Sequence, residues 1–165
     1  MAFTLSSPDL QPDTMMPRSF EFNGFGCSGD NQSPALRWSG APAGTKAFAV
    51  TCFDPDAPTG SGWWHWSVVN IPGDATELPR NAGAEGDANL PEGASHVRID
   101  YGVKAWGGPC PPPGDKAHRY VFTVHALKDR LELPPDATAA LAGFMINANT
   151  LEKASFTALY GRPAQ

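Results

Sequence analysis

Lys46-Ala-Phe-Ala-Val-Thr-Cys-Phe-Asp54-Pro-Asp56-Ala-Pro58-Thr-Gly-Ser-Gly-Trp63-Trp-His65-Trp-Ser-Val-Val-Asn-Ile71 reads as two apolar runs either side of a rigid polar turn. Residues 46–54 and 63–71 are rich in β-branched and aromatic side chains and are bounded by Gly, Pro and Asp, the pattern of strands. Between them, two prolines fix φ and restrict the residues before them, so the carboxylates of Asp54 and Asp56 are placed, not floppy. Turn chemistry alone would select the same residues, with each aspartate bonding its own backbone.

Working outward, residues 118–127 form a third run of the same kind, and the three are expected as central strands. Ser19-Phe20-Glu21-Phe22 alternates like a half-buried strand, and residues 96–101 do so more weakly. Residues 73–95 are polar and glycine-rich enough for a long irregular connection. Helical spacing is confined to residues 137–160, where Leu141, Phe144, Met145, Ala148, Leu151, Ser155, Phe156 and Leu159 recur at steps of three or four. A break is expected near Asn147 or Asn149. Strands grouped ahead of a terminal helical segment predict a mainly β protein, a β-sandwich with helices at one side.

The length of 165 residues fits one domain, spanning 1–165. A content of 17 Gly and 17 Pro is more than helices tolerate inside their elements and agrees with strands joined by turns. The formal net charge of -5, without a Lys/Arg cluster, argues against nucleic acid as a partner. Met1-Ala-Phe-Thr-Leu-Ser-Ser-Pro8 lacks the basic start and apolar stretch of a secretory signal, and no apolar run is long enough to span a bilayer, so the expected location is cytoplasmic. Cys27, Cys52 and Cys110 cannot all pair within one chain and match no disulfide framework; reduced thiols are expected.

Several motifs are set aside. Gly24-Phe-Gly26-Cys-Ser-Gly29 matches the dinucleotide fingerprint by letter, but Asp30 to Pro34 follows where a helix should open, so a turn is expected. Asn31-Gln-Ser33 has the letters of a glycosylation acceptor without a secretory signal. The four histidines lack metal-ligand spacing and no Walker loop or nucleophile elbow occurs, so neither metal nor cofactor is expected.

Strand alternation puts His65 on a face with Trp63, Ser67 and Val69, either as a satisfied interior group or as part of an aromatic-lined cleft. Gly107-Gly-Pro-Cys-Pro-Pro-Pro-Gly114 is a stiff loop whose glycines allow backbone N–H groups to approach an anion. It runs into His118-Arg119-Tyr120, where His118 and Tyr120 share one face and Arg119 takes the other as a structural ion-pair partner. Cys110 is read either as a reactive thiol or as a small apolar filler.

Together, DPDAP, Trp-His-Trp followed by Val-Val-Asn-Ile-Pro, and GPCPPxG with HRYxFxxxAL resemble the phosphatidylethanolamine-binding protein (PEBP) family, in its bacterial YbhB/YbcL branch, which is similar to Raf kinase inhibitor proteins. The likeness runs from about Phe20 through the C-terminal segment and includes residues 26–34 and 42–45. It implies a two-sheet antiparallel sandwich with a small anion-binding cavity. The family's ligand site maps onto Asp54, His65, Gly108, Cys110 and Tyr120, with Asp56, Pro58 and His118 as supporting positions. It also implies a homodimer and a kinase or other signalling partner. Trp106 stands where the family usually has Tyr, which is expected to alter the pocket rim.

Two carboxylates should repel phosphate, by about 4 kcal/mol for unit charges about 4 Å apart at an effective dielectric near 20. Compensation is expected from protonated His65, from a proton shared between Asp54 and the ligand, from N–H groups of the 108–110 loop and from Tyr120, or from a ligand ammonium such as that of phosphoethanolamine. The expected function is binding of a phosphate-like anion or phospho-headgroup, with partner regulation second. The alternative is an enzyme using His65 and Asp54 as a general acid–base pair.

Overall fold

The three apolar runs are adjacent strands of one sheet. A computed structural model describes residues 2–164. Its strands are β1 (Thr4–Ser6), β2 (Leu36–Ser39), β3 (Ala47–Asp54), β4 (Trp63–Pro72), β5 (Glu77–Leu78), β6 (Ser95–His96), β7 (His118–Leu127) and β8 (Thr150–Tyr160), with helix α1 (Ala139–Asn149) before β8. One sheet has the order β6-β4-β3-β7-β8 and the other β1-β2-β5, with antiparallel pairing throughout both.

The main core lies between the sheets. Leu5, Leu36, Trp38 and Leu78 of the small sheet meet Phe48, Val50, Cys52, Trp66, Val68, Phe122 and Val124 of the large one. On the other face of the large sheet, Ala49 and Val69 pack with Ala142 and Ile146 of α1. The large sheet is thus covered on both sides where it is most apolar, which is why β3 and β7 read as near-continuous hydrophobic runs.

Two local readings give way. Residues 19–22 are not a strand; Arg18–Phe20 forms a 3-10 turn that buries Phe20 in the core. Of residues 96–101 only His96 belongs to a strand. The long connection after Gly73 is irregular apart from β5, and it is tied down by Asp87, whose Oδ1 meets Nδ1 of His96 at 2.8 Å while Nε2 of His96 accepts from the Trp66 indole at 2.9 Å.

The largest correction concerns residues 137–160. The helix covers only Ala139–Asn149, begins with the Thr138 hydroxyl accepting from Leu141 N, and stops at one of the two asparagines singled out as a break. Thr150–Tyr160 is instead a strand paired along β7. Ala154, Phe156, Ala158 and Tyr160 alternate inward with a period of two, and the open edge of β7 decides between the two periods that this stretch carries. Within the helix, Leu141 and Phe144 face solvent, and Ala139, Ala142 and Ile146 are the buried positions. Ile146→Ala should therefore cost about 2–4 kcal/mol in urea unfolding, while Phe144→Ala should stay within about 0.5 kcal/mol of the parent. A larger loss at Phe144 would mean that a different helix face is buried.

Candidate functional site

Asp54, Trp63, His65, His118 and Tyr120 come together because the end of β3 and the starts of β4 and β7 lie at one end of the large sheet. A bulge in β4 arranges them. Cys52 pairs with Trp66 and Phe53 with Trp64, so His65 is an extra residue with no partner on β3. Trp63 and His65 consequently share the inner face with Asp54, while Trp66 also turns inward to the core. Ser67 and Val69, expected beside His65, lie on the opposite face, with Val69 in the cluster under α1.

The floor is an ion-pair array around His118. Its Nδ1 lies 2.8 Å from Asp54 Oδ2 and its Nε2 3.0 Å from Asp115 Oδ2. A carboxylate only accepts, so both ring nitrogens donate and His118 is an imidazolium. Burial works against that charge, but the two carboxylates outweigh it and raise the pKa of His118. Burial likewise raises the pKa of Asp54 despite its bond from His118. Both shifts make the pair keep its proton to higher pH. Asp54 Oδ1 also accepts from Asp56 N at 2.8 Å, so the self-bonded turn and the site are one structure.

His65 is neutral. Its Nδ1 lies 2.6 Å from the Gly107 carbonyl, which can only accept, so Nδ1 carries the proton and Nε2 is left as an acceptor. Burial lowers its pKa to about 4. Asp54 bonds to His118 and Asp56, not to His65, so the expected acid–base pair is not a hydrogen-bonded dyad. Tyr120 is wholly buried, its pKa is raised by burial and by the charge of Asp54, and its hydroxyl has no partner among the described residues. The indole N–H of Trp63 is unpartnered in the same sense.

These side chains open into a cavity of about 180 Å³, also lined by Pro58, Cys110, Pro111, Phe25 and Tyr101. Asp56 and Gly108, both expected site residues, stand outside its lining. Asp56 is clamped by Arg119, with Nε at 3.0 Å and Nη2 at 2.8 Å, and that bond holds its pKa at about 2. Arg119 is thus the structural ion-pair partner expected of it. The Gly108 N–H is spent on Asn31 Oδ1 at 2.7 Å, and a Cβ on Gly108 would stand 1.9 Å from the Phe20 carbonyl. This glycine serves a close backbone crossing and leaves its N–H unavailable to an anion. Trp106 is also away from the rim: it packs in the core against Trp66 and Phe122.

Cys110 is neither a reactive thiol nor a filler, because it forms a disulfide with Cys27. This corrects the expectation of three reduced cysteines, since only Cys52 is free and it is buried. The bond joins two loops that lie far apart in sequence and meet over the cavity, a proximity that linear spacing does not carry. The turn at residues 24–29 opens no helix, as expected, and it supplies Phe25 to the cavity wall. Phe25 and Tyr101 were missed as site residues. Tyr101 stacks on Phe22 at 3.8 Å, meets Phe25 and Trp63 edge-on at 5.2 Å each, and donates to the Gly108 carbonyl at 2.9 Å. Aromatic residues crowded near the glycine turn were the available signal.

The histidines should titrate in opposite directions. Burial holds both His65 and His125 at about 4, so each stays neutral in the folded state at pH 5 and resists folding in acid. Their stabilisation is complete above about pH 6.5 and falls toward pH 4, by about 3 kcal/mol each at most. His118 behaves the other way: its contribution is full below about pH 6.5 and is lost as pH rises through its raised folded value. Imidazole nitrogen shifts in NMR should show His118 protonated at pH 7 while His65 and His125 are still neutral at pH 5. Protonation of His65 above pH 6 would overturn the tautomer assigned to it.

Comparison with known proteins fits this geometry. Protein YbcL of Escherichia coli strain K12 is 50% identical over 160 residues, covering 96% of this chain and 87% of that protein. YbhB of the same strain is 48% identical over 157 residues, covering 94% of this chain and 98% of that protein. LppC of Mycobacterium tuberculosis strain H37Rv, described as a putative lipoprotein, is 36% identical over 140 residues, covering 84% of this chain and 62% of that protein. The crystal structure of Escherichia coli YbcL superposes with a TM-score of 0.94 at 49% identity, covering 96% of this chain and 98% of that one. With the family profile "Phosphatidylethanolamine-binding protein" matched over residues 6–161 and the sandwich shared with YbcL, the chain belongs to the phosphatidylethanolamine-binding protein family.

Proposed function

We propose that the chain is a binding protein whose cavity takes a small phosphate-like anion or phosphorylated headgroup, phosphoethanolamine being a fitting example, in a form that brings its own proton or ammonium. The observation that carries this reading is the buried Tyr120 hydroxyl, which lines the cavity near Asp54 and has no partner among the described residues. A buried hydroxyl left unpaired costs about 1–3 kcal/mol, and a ligand oxygen would relieve that cost. The Trp63 indole N–H is a second donor of the same kind.

Charge and size narrow the ligand. With His118 protonated between Asp54 and Asp115, the array carries one net negative charge, and neutral His65 adds an acceptor. A bare dianion meets repulsion there, whereas a monoanion or zwitterion supplies donors to Asp54 and His65 and acceptors to Tyr120 and Trp63. A cavity of about 180 Å³ is below the usual range for drug-sized ligands and suits a headgroup alone. Protonated His65 no longer figures in the compensation; the ligand and the Asp54–His118 pair hold the protons.

The cystine supports a reading of the compartment. No helix among the described residues is long and apolar enough to cross a membrane. Disulfides persist where the surroundings are oxidising, which favours such a compartment over the expected cytoplasmic one, and the lipoprotein description of LppC agrees. Alkylating free thiols in intact cells tests this: one modified cysteine per chain, after denaturation, is expected, and three would restore the cytoplasmic placement.

Calorimetric titration with inorganic phosphate should show affinity rising from pH 8 to pH 5, as the ligand takes up its proton. Tyr120→Phe should weaken binding about tenfold, and Asp54→Asn should flatten the pH profile by improving binding at pH 8. An affinity that is level or falls over this range in the parent protein would sink the proton requirement.

A further inference from the structure

The Cys27–Cys110 cystine stands in the cavity wall, and the binding reading makes no use of it. The bases of the two loops are held without it: Phe22 N donates to the Pro109 carbonyl at 3.1 Å, and Asn31 brackets the Trp106 carbonyl and the Gly108 N–H. Between the two tips the links are the cystine and the Arg162 side chain, which reaches the Pro111 carbonyl at 2.7 Å and the Gly26 carbonyl at 3.4 Å. The 24–29 turn keeps bonds of its own, from Cys27 N to the Gly24 carbonyl at 2.9 Å and from Ser28 N to Glu21 Oε2 at 3.0 Å. Phe25 sits two residues before Cys27, 72% exposed and with φ of 56°, yet its ring lies against Tyr101 in the wall. A non-glycine residue adopts that left-handed conformation only when its surroundings hold it there. The bond from Cys27 N to the Gly24 carbonyl closes the turn around Phe25, and the cystine anchors the end of that turn to the Cys110 loop.

We propose that Cys27–Cys110 is a redox site that controls the cavity: an external dithiol reduces it, the wall at Phe25 loosens, and ligand affinity falls. Cys27 is buried and Cys110 is partly exposed on the cavity side, so attack falls on the Cys110 sulfur. A thiolate of the dithiol bonds to that sulfur, the S–S bond breaks, and its electron pair leaves with the Cys27 sulfur, which takes up a proton. The second thiol of the reductant then displaces Cys110 as a thiol and closes the reductant's own disulfide. Two electrons and two protons pass from the dithiol to the cystine. The ligand-linked half of this proposal rests on the binding reading: a ligand seated against Cys110 covers the sulfur under attack. At equilibrium the two effects are reciprocal, so reduction weakens the ligand by the factor by which the ligand protects the cystine.

The test uses the full chain with dithiothreitol and O-phosphoethanolamine. Reduction should abolish the NOE contacts between the Phe25 and Tyr101 rings while leaving amide exchange in β3 and β7 unchanged. It should lower O-phosphoethanolamine affinity about fivefold or more, and saturating O-phosphoethanolamine should shift the dithiothreitol midpoint by the same factor. The double variant Cys27→Ala/Cys110→Ala should show the reduced affinity with or without dithiothreitol. Ring contacts that survive reduction, exchange that quickens equally in β3 and β7, or equal affinity in both redox states would each overturn the proposal. Should neither O-phosphoethanolamine nor inorganic phosphate bind the oxidised protein, the binding reading fails and the ligand-linked half falls with it. The ring contacts then decide the structural half on their own.

Discussion

A single unpaired residue in β4 sets both the core and the site. With regular alternation, a face that presents Trp63 and His65 would next present Ser67 and Val69, and Trp66 would point away from the core. The bulge at His65 lets Trp63, His65, Trp66 and Val68 share one side of the strand. Large apolar side chains fill the space between the sheets directly below a polar cavity. Because a one-residue slip exchanges the two faces of a strand, the burial of Trp66 and Val68 holds the register that delivers His65. Packing energy from the core therefore fixes the position of a polar group whose ring meets that core only at its margin, edge-on to Tyr120.

The two aspartates of the turn show how environment divides identical side chains. They are two residues apart and each has a basic partner, yet their pKa values move in opposite directions. Asp56 is partly exposed and clamped by the fork of Arg119, and that bond outweighs the smaller cost of its desolvation. Asp54 is almost fully buried, and the cost of desolvation outweighs its bond to His118. Asp56 is thereby committed to holding β7 against the turn. Asp54 remains a group whose charge can be answered by a proton or by a ligand cation. The prolines set both carboxylates in place, and the basic partners assign their tasks.

What could be read from the sequence was local or repeated. The strands at β3, β4 and β7 were legible because β-branched and aromatic runs end at Gly, Pro and Asp, and the pairing of Arg119 followed from alternation alone. What could not be read depends on meetings across long separations. The cystine spans 83 positions, and Asn31 reaches across 77 to hold Gly108. The strand at Thr150–Tyr160 was hidden for another reason, since its apolar residues satisfy both a helical and an alternating period and only the neighbouring β7 edge selects one. His65 failed in its chemistry, not its position: its place in the cavity was legible, but its neutral state depends on the Gly107 carbonyl, 42 positions away.

Floor and wall differ in how they are built, and that difference bears on how such a site changes. Asp54, His65, His118 and Tyr120 project from strands whose neighbouring positions are core, so their geometry is hard to alter without unpacking the sheets. Phe25, Tyr101 and Cys110 project from loops whose close crossings are made by glycines and backbone bonds, and Phe25 is largely outside the packed interior. Substitution at the exposed Phe25 costs little stability and changes the shape of the cavity mouth, whereas Cys110 and Tyr101 are tied in by the cystine and by the bond to the Gly108 carbonyl. Changes on the floor alter charge, and they disturb the proton shared by Asp54 and His118 before they disturb shape. Hydrogen-bond demand is thus a property of the sheet, and the shape of the cavity mouth is a property of the loops.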